Sequence, residues 1–512
     1  MKLYTPQNMR DADKYTIESL GVPGIVLMDR AAEALFLSLG DKIGRGNRFV
    51  ILCGKGNNGG DGWALAYKLW AVSKKVVCIS LFGKPTTGDA LHFYEKCVNE
   101  ATLYTPVEII DASDDISKAE DAVKSADIIV DAIFGTGFAG SIDKDSTAGN
   151  LISLSNKADA FRLSADIPSG ADAQNGRCSD IVFRADMTVT FAKGKVGMYS
   201  YPAREFCGEI IIADIGIPES VFDAFNSKYE LTDNETIIKY LPKRNASSNK
   251  GSFGRLLVYA GSEDMTGAAH LALCGALRCG AGLVAFASEP YVTDILKHRL
   301  SEPIFFPVKG GDSETDRLIE FSKRCNAILI GCGLGTGEGV KERVERLIRE
   351  CDCPIILDAD GINAVSDNIN IITEAKKGIL LTPHPLEFSR ISGLPLSDIL
   401  AGRIESAVEF SEKYGCTLLL KGANTVICDK GERVCINPIA CSALAKGGSG
   451  DALAGMIASF AVQGASLYES AVLGAYLHGR SGEMLASEFS EYGVLPSDIP
   501  ITAARILSDI LR

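Results

Sequence analysis

Short runs of β-branched and leucine side chains alternate with helical stretches along most of this chain, the pattern of parallel strands joined by helical crossovers. In the first half such runs predict strands at Phe49–Cys53, Val76–Leu81, Asp127–Asp131, Phe161–Asp166, Met187–Phe191 and Glu209–Asp214. Ahead of them, Asn8–Leu39 predicts two helices split by Gly21-Val22-Pro23-Gly24. The pattern then breaks. Pro218 to Ser252 is polar, with Asp233-Asn234-Glu235 and Lys243-Arg244-Asn245-Ala246-Ser247-Ser248-Asn249-Lys250 and no long apolar run, so a domain boundary is expected near residue 225. A second series follows at Leu256–Ala260, Leu283–Ser288, Ala327–Ile330, Ile355–Asp358, Gly378–Leu381, Thr417–Leu420 and Thr425–Cys428, with helices such as Gly267–Cys279 and Glu338–Glu350 between them. No internal repeat relates the halves. The expected fold class is α/β in two domains, 1–224 and 225–512, each with its ligands at the carboxyl ends of parallel strands.

Bulk properties narrow the function. At 512 residues the chain is longer than one hydrophobic core supports, in keeping with two domains. A net charge of -13, with no stretch that interleaves basic and aromatic residues, excludes a nucleic-acid surface. Met1 to Arg10 lacks the apolar core of a secretory signal and no apolar run is long enough for a bilayer, so the expected address is the cytoplasm, with no membrane partner. The fifteen cysteines are scattered singly, and the closest pair, Cys351 and Cys353, has the wrong spacing for a zinc knuckle. They are expected to be reduced and mostly buried. The composition is compatible with a homo-oligomer.

Chemistry concentrates where strands run into glycines. In Ala445-Lys446-Gly447-Gly448-Ser449-Gly450-Asp451-Ala452 a glycine turn becomes an apolar helix. Such a turn aims unpaired N–H groups and the positive end of the helix dipole at one spot, a natural seat for a phosphoryl group. Asp451 beside it is placed to act as a base toward a hydroxyl attacking the terminal phosphate of a nucleotide. Lys421-Gly422-Ala423-Asn424-Thr425, Gly331-Cys332-Gly333-Leu334-Gly335-Thr336-Gly337 and Thr382-Pro383-His384-Pro385 each follow a further strand. Prolines on both sides stiffen His384 toward a ligand. His92, His270, His298 and His478 read as structural.

In the first half, Gly54-Lys55-Gly56-Asn57-Asn58-Gly59-Gly60-Asp61-Gly62 lies between a strand and the helix Trp63–Trp70. It fits neither the dinucleotide GxGxxG spacing nor the Walker lysine loop. Its side-chain oxygens suit a ribose or a hard monovalent cation, or simply Asx hydrogen bonds within a tight turn. Asp131-Ala132-Ile133-Phe134-Gly135-Thr136-Gly137 and Asp166-Ile167-Pro168-Ser169-Gly170 bring polar groups to the same rim, with Asp166 the natural acid or base.

Met9-Arg10-Asp11-Ala12-Asp13, Leu27-Met28, Gly54–Asp61, Asp131–Gly137 and Asp166–Gly170 resemble, in order, the epimerase domain of the NAD(P)H-hydrate repair enzymes, which has a Rossmann-like parallel sheet. The resemblance implies that Asn57, Asn58, Gly59, Gly60, Asp61, Gly135, Thr136, Gly137 and Asp166 contact hydrated NAD(P)H, that Asp166 is catalytic, and that Asn58, Asp131 and Ser169 bind potassium. Asp29-Arg30-Ala31-Ala32 departs from the family and is given no catalytic role.

From about Lys250 onward, Gly251-Ser252-Phe253-Gly254, Gly267-Ala268-Ala269, Ala276–Val284, Asp358-Ala359-Asp360-Gly361, Thr382–Pro385, Lys421–Thr425 and Gly447–Asp451 resemble the dehydratase domain of the same family, which is ribokinase-like. By that resemblance Lys421, Gly422, Ala423, Asn424, Thr425, Gly447, Gly448, Ser449 and Gly450 hold ADP or ATP, and Ala268, Gly335, His384 and Asp451 line the hydrated cofactor. Asn249 and Leu386 depart from the family pattern. Magnesium on the nucleotide phosphates is expected for phosphoryl transfer. The implied protein is an isomerase and lyase of metabolite repair, which interconverts the R and S hydrates and dehydrates the S form. Its partners are small molecules. The rival readings are a vitamin-precursor kinase fused to a dinucleotide-binding regulator, and a first half that binds without catalysing.

Overall fold

The computed structural model describes residues 1–44, 47–72, 74–100 and 107–511. The chain forms two compact units, Lys2–Ser227 and Lys228–Arg512, the second joined by Met1.

In the first unit seven strands form one wholly parallel sheet: β1 (Arg48–Cys53), β2 (Lys75–Ser80), β3 (Glu108–Asp111), β4 (Ile128–Ala132), β5 (Phe161–Ala165), β6 (Met187–Phe191) and β7 (Glu209–Ala213). Their order is β3-β2-β1-β4-β5-β6-β7. Both faces are covered, so β1 is apolar from Phe49 onward: Phe49, Ile51 and Cys53 enter one core with Trp63 and Leu35, while Val50 and Leu52 enter the other with Leu151 and Phe183. A one-residue slip of the Val50–Val77 and Val50–Ile129 register would exchange those faces. The chain reverses its direction of travel across the sheet between β1 and β4, which opens a crevice at their carboxyl ends. Gly54 turns the chain there, and a Cβ on it would lie 1.9 Å from the Ile133 carbonyl oxygen.

Two expectations for this half need correction. The helix after β1 spans Asn57–Ala71 rather than starting at Trp63, so the glycine segment is largely helical. Its glycines permit close packing on the sheet: a Cβ on Gly59 would meet the Gly54 oxygen at 2.0 Å, and one on Gly62 the Ala132 Cβ at 2.8 Å. Strand β3 was not predicted, because it is four residues long at the sheet edge and only Ile110 within it is buried.

The second unit carries a ten-stranded sheet built from β8 (Tyr229–Leu231), β9 (Arg255–Tyr259), β10 (Leu283–Ser288), β11 (Ile304–Pro307), β12 (Ala327–Ile330), β13 (Ile355–Leu357), β14 (Ile379–Leu381), β15 (Thr417–Leu420), β16 (Val426–Asp429) and β17 (Arg433–Ile436). Its order is β11-β10-β9-β12-β13-β14-β15-β16-β17-β8. Pairing is parallel except at β16, which runs against both neighbours. The polar segment read as the domain boundary holds a short helix (Glu219–Asp223), β8 and another helix (Asn234–Tyr240). Composition hides β8 because it is a three-residue edge strand whose Glu230 is needed: that carboxylate accepts the Tyr468 hydroxyl at 2.6 Å and the Tyr240 hydroxyl at 3.1 Å.

Helix Ser449–Val462 runs through the core of this unit, and only Gly450 and Asp451 among its residues escape burial. It presses on helix Thr266–Arg278 through paired glycines: a Cβ on Gly455 would sit 1.9 Å from the Ala272 oxygen, and one on Gly275 would sit 2.4 Å from the Ala452 oxygen. Among the described residues no helix is long and apolar enough to cross a membrane. All fifteen cysteines are free, most of them buried.

Candidate active sites

The first site lies where β1, β4, β5 and β6 of the first unit end. Asp166, one residue past β5, is buried with φ 67°. Its Oδ2 accepts the Thr136 N–H at 2.9 Å and also the Thr136 hydroxyl. Its Oδ1 accepts from Lys195 Nζ at 2.6 Å, and Lys195 also donates to Thr190 Oγ1 at 2.7 Å and to the Phe191 carbonyl at 2.9 Å. Burial alone would push the Asp166 carboxyl up, but the Lys195 ammonium and the Thr136 donors outweigh it and hold Asp166 below the usual carboxylate range. Asp166 is therefore a fixed anion within a buried ion pair.

Asp131, fully buried in β4, accepts from Ser169 N–H (2.7 Å), Ser169 Oγ (2.6 Å) and Ile133 N–H (3.2 Å), and Ser169 Oγ accepts in turn from Phe134 N–H (2.9 Å). Burial still pushes its carboxyl up to about 6 despite these donors. No cation pairs with it among the described residues. Asn58 has both side-chain polar atoms buried with no hydrogen-bond partner, an expensive arrangement unless a ligand completes it. A Cβ on Gly135 would lie 3.1 Å from both Asn58 Oδ1 and Asp166 Oδ2, which places these groups around one backbone position. An unpartnered amide oxygen and an uncompensated buried carboxylate are a donor set that suits a monovalent cation.

Of the other residues expected at this site, Gly59 and Gly60 are buried in the first turn of helix Asn57–Ala71, and the Gly60 N–H is taken by the Gly56 oxygen. Asn57 begins that helix, and Gly137 stands in open space. Asp61, on the same helix, is buried and faces Asp166, Asp13 and Lys195 electrostatically. Asp13, exposed on helix Pro6–Glu18, and Lys195 were missed as site residues. Lys195 left no signal: Lys193-Gly194-Lys195, beyond the end of β6, has the composition of a solvated turn.

The second site is built on a row of strand ends. Cys332, Asp358, Thr382 and Lys421 follow β12, β13, β14 and β15, four neighbours in the sheet. Asp358 is buried and accepts Lys421 Nζ at 2.8 Å and Thr382 Oγ1 at 2.7 Å on the same oxygen. Asp451, at the start of helix Ser449–Val462, joins them: one ligand atom each of Cys332, Asp358 and Asp451 falls within 4.8 Å of the others. Burial, then the Asp358 charge, push the Asp451 carboxyl up to about 6 against the pull of Lys421. Lys421 stays an ammonium, since Asp358 and Glu387 more than offset its burial. A Cβ on Gly450 would stand 3.2 Å from Lys421 Nζ, so the positive charge and the free N–H groups of the helix start share one place.

Supporting residues surround this centre. Gly448 caps the helix at φ 97°, and Ser449 Oγ lies 2.9 Å from His478 Nε2. Burial, then the charge of Lys421, outweigh the Ser449 carbonyl and push His478 down to about 4, so this imidazole is neutral. The Gly335 N–H donates to Asp360 Oδ2 at 2.8 Å, and Ala268 is packed where a Cβ on Gly333 would stand 2.7 Å away. The 421–425 loop is gripped from behind by the buried Arg403, which donates to the carbonyls of Leu420 (3.1 Å), Lys421 (3.1 Å) and Ala423 (2.8 Å). Within that loop Thr425 Oγ1 donates to the Gly422 oxygen, and Asn424 is buried at φ 51°. Gly447 borders open space.

His384 is partly committed elsewhere. It is the N-cap of helix Pro385–Ser392, its Nδ1 accepting the N–H groups of Leu386 and Glu387 at 3.2 Å each while Glu387 Oε2 accepts the His384 N–H at 2.8 Å. Its Nε2 faces Glu387 Oε1 at 3.5 Å, so both ring nitrogens are turned to the helix start, while the ring itself is half-exposed. Asp358, Arg403 and His478 were missed as site residues.

Comparison with known proteins agrees with this division. Residues 256–505 match the family model described as NAD(P)H-hydrate dehydratase, and residues 24–197 match that of the YjeF-related protein N-terminus. The chain is 34% identical to the bifunctional NAD(P)H-hydrate repair enzyme of Moorella thermoacetica, over 98% of this chain and 95% of that one. It is 32% identical to the enzyme of the same name from Dictyoglomus turgidum, over 100% and 99%. A ribokinase-like superfamily protein of Enterococcus faecalis superposes with a TM-score of 0.50 at 25% identity, over 56% of this chain and 97% of that one.

Proposed function

Because the chain belongs to the bifunctional NAD(P)H-hydrate repair enzymes, we propose that it restores hydrated NADH or NADPH in two steps, one on each unit. The first unit equilibrates the R and S epimers. The second dehydrates the S form at the expense of ADP or ATP. The observation that carries the second step is the convergence of Asp451, Lys421 and the start of helix Ser449–Val462, to which no side chain donates a capping bond.

Hydroxide is a poor leaving group, and the substrate carries its hydroxyl on the ring carbon next to nitrogen. Asp451 takes the hydroxyl proton, and the freed oxygen attacks the terminal phosphoryl group held by the N–H groups of Gly450 and Asp451. Lys421 balances the charge that accumulates on the phosphoryl oxygens. Preorganised donors of this kind are typically worth about 3 kcal/mol each in the transition state. The transfer releases AMP from ADP, or ADP from ATP; inorganic phosphate then leaves the ester, pushed out by the ring nitrogen, and the neighbouring carbon gives its proton to the departing phosphate, which restores the dihydronicotinamide. Asp358 offers the hard carboxylate oxygens that magnesium accepts, whereas the Cys332 thiol beside it does not suit it. Magnesium would neutralise the nucleotide phosphates. The 421–425 loop, shaped by Arg403, holds the nucleotide, and the half-exposed ring of His384 lines the dinucleotide.

In the first unit Asn58, Asp131 and Ser169 would hold potassium, which supplies a fixed positive charge and no redox chemistry. Asp166 and Lys195 orient the hydrated ring. The free cysteines suit a reducing compartment, and we place the enzyme in the cytoplasm.

The test follows near-ultraviolet absorbance of restored NADH from its hydrate with ADP or ATP, together with free phosphate. The reading requires both signals in step. A phosphorylated product that accumulates without NADH would make the second unit a kinase instead.

Two expectations arise from the same geometry. A base must be ionised, and burial raises the pH at which Asp451 loses its proton to about 6. The dehydration rate should therefore be flat at neutral pH and fall about tenfold per unit below that point. A rate unchanged down to pH of about 5 would remove Asp451 as the base. Replacing potassium by a large organic cation should slow epimerisation about tenfold or more and dehydration far less. Equal epimerisation rates in both buffers would remove the cation from the site.

A further inference from the structure

His478 stands on the long helix Leu467–Gly493 and reaches the first residue of helix Ser449–Val462, where the phosphoryl seat begins. The helix that carries it has little freedom. Gly474 and Gly482, one turn before and one turn after His478 on the same face, let the helix lie close: a Cβ on Gly474 would run into Ile457 Cγ1, and one on Gly482 would stand 2.6 Å from Leu444 Cγ. A single ring nitrogen, Nε2, lies 2.9 Å from Ser449 Oγ and 3.1 Å from the Ser449 carbonyl oxygen. A carbonyl oxygen can only accept, so Nε2 carries a proton and directs it at both Ser449 oxygens. The Ser449 hydroxyl is thus an acceptor toward the ring, and its own proton has no acceptor among the described residues. Ser449 is buried, so that proton is costly until a ligand oxygen takes it. The Ser449 N–H cannot serve the ligand, because it donates to the Lys446 oxygen at 3.2 Å. The hydroxyl is the donor left over at this position.

Resting on the dehydratase reading above, we propose that His478 is a positioning residue of the second site: by holding the Ser449 oxygen as an acceptor, it presents the hydroxyl proton to the transferring phosphoryl group as a third donor beside the Gly450 and Asp451 N–H groups. His478 touches no substrate. It acts only through Ser449, and its ring neither gains nor loses a proton in the reaction. Without the Nε2 donor the hydroxyl is free to turn and set a lone pair against the phosphoryl oxygens. A donor fixed in advance costs no reorganisation at the moment of transfer, so the effect falls on the rate of the bound complex and not on the affinity for ADP or ATP.

The experiment measures single-turnover dehydration of the purified S hydrate of NADH at saturating ADP or ATP. Ser449→Ala should lower the rate about a hundredfold, with nucleotide affinity within about threefold. His478→Met fills similar space without a donor and should lose about tenfold or more, whereas His478→Gln, of nearly the same shape with an N–H at its tip, should recover most of that loss. In a Ser449→Ala background, His478→Met should cost nothing further, because the hydroxyl it positions is gone. Selective ¹⁵N labelling of the five histidines should place a ring proton on Nε2 of His478 in the resting protein, the signal being assigned by its loss in His478→Gln. A merely structural histidine would lower melting temperature and nucleotide affinity along with the rate, and its loss would multiply with that of Ser449→Ala. Multiplying losses, an unchanged rate in Ser449→Ala, His478→Gln as slow as His478→Met, or an Nε2 without a proton each overturn the proposal. A wild-type protein that returns no NADH from the S hydrate with either nucleotide overturns instead the dehydratase reading on which it rests.

Discussion

Asp451→Asn is expected to lower nucleotide-dependent dehydration by about a thousandfold or more while nucleotide binding stays within a few-fold. The amide preserves size and leaves the Gly448–Gly450 turn intact, but it cannot accept the substrate's hydroxyl proton. A structural role predicts another outcome. Asp451 is not buried with the rest of its helix and lies beside a second carboxylate, so neutralising it relieves repulsion with Asp358. The variant should therefore be at least as stable as the wild type, and single-turnover rates with saturating ADP or ATP separate the two accounts. Equal losses of binding and rate would make Asp451 a binding residue.

The second large effect concerns the whole reaction. Each unit carries a complete set of strand-end groups, so the two activities should separate by mutation. Asp166→Ala breaks the buried pair with Lys195 and should leave recovery of NADH fast only until the S epimer is consumed, after which it proceeds at the spontaneous exchange rate. Leaving an uncompensated buried ammonium costs about 3–5 kcal/mol, so the first unit of this variant should also melt earlier. Asp451→Ala should do the reverse, with epimers equilibrating and no NADH returning. Mixing the two variants should restore full conversion, because the shared intermediate is a diffusible dinucleotide. A folded Asp166→Ala protein that fails to dehydrate pure S hydrate would show that the sites are not independent.

Most strands that sequence makes visible are buried on both faces, such as β1 and β12, where continuous apolar runs leave no alternative; the edge strand β7 is visible by its Ile210-Ile211-Ile212 run although none of its residues is buried. The invisible ones, β3, β8, β11 and β17, are short and polar or lie near an edge, and the backbone partner that stabilises them is remote in sequence. The sites divide in the same way. Asp166, Asp451 and Lys421 announce themselves because a charged residue ends an apolar strand or begins an apolar helix. Lys195 does not, since Lys193-Gly194-Lys195 reads as a solvated turn, and only the pairing with Asp166 across strands explains a buried ammonium. Arg403 at the start of its helix reads as a surface charge, yet three loop carbonyls collect on it. His478 reads as a core histidine and is one, but its ring touches the hydroxyl of Ser449. Asp61 was visible as one oxygen among several. That no described residue donates to it is a property of the packed helix and cannot be inferred from composition.

The row formed by Cys332, Asp358, Thr382 and Lys421 has a consequence for how this enzyme can change. Neighbouring strands are about 4.8 Å apart, so the backbone ladder acts as a ruler that fixes the spacing of thiol, carboxylate, hydroxyl and ammonium. Loop mutations can reshape what surrounds the row but cannot respace it, and a strand that slipped by one position would turn its core side chains to the wrong face. Preference for one dinucleotide or nucleotide over another is therefore free to drift in the loops, while the order of charges that performs the chemistry is inherited with the sheet itself.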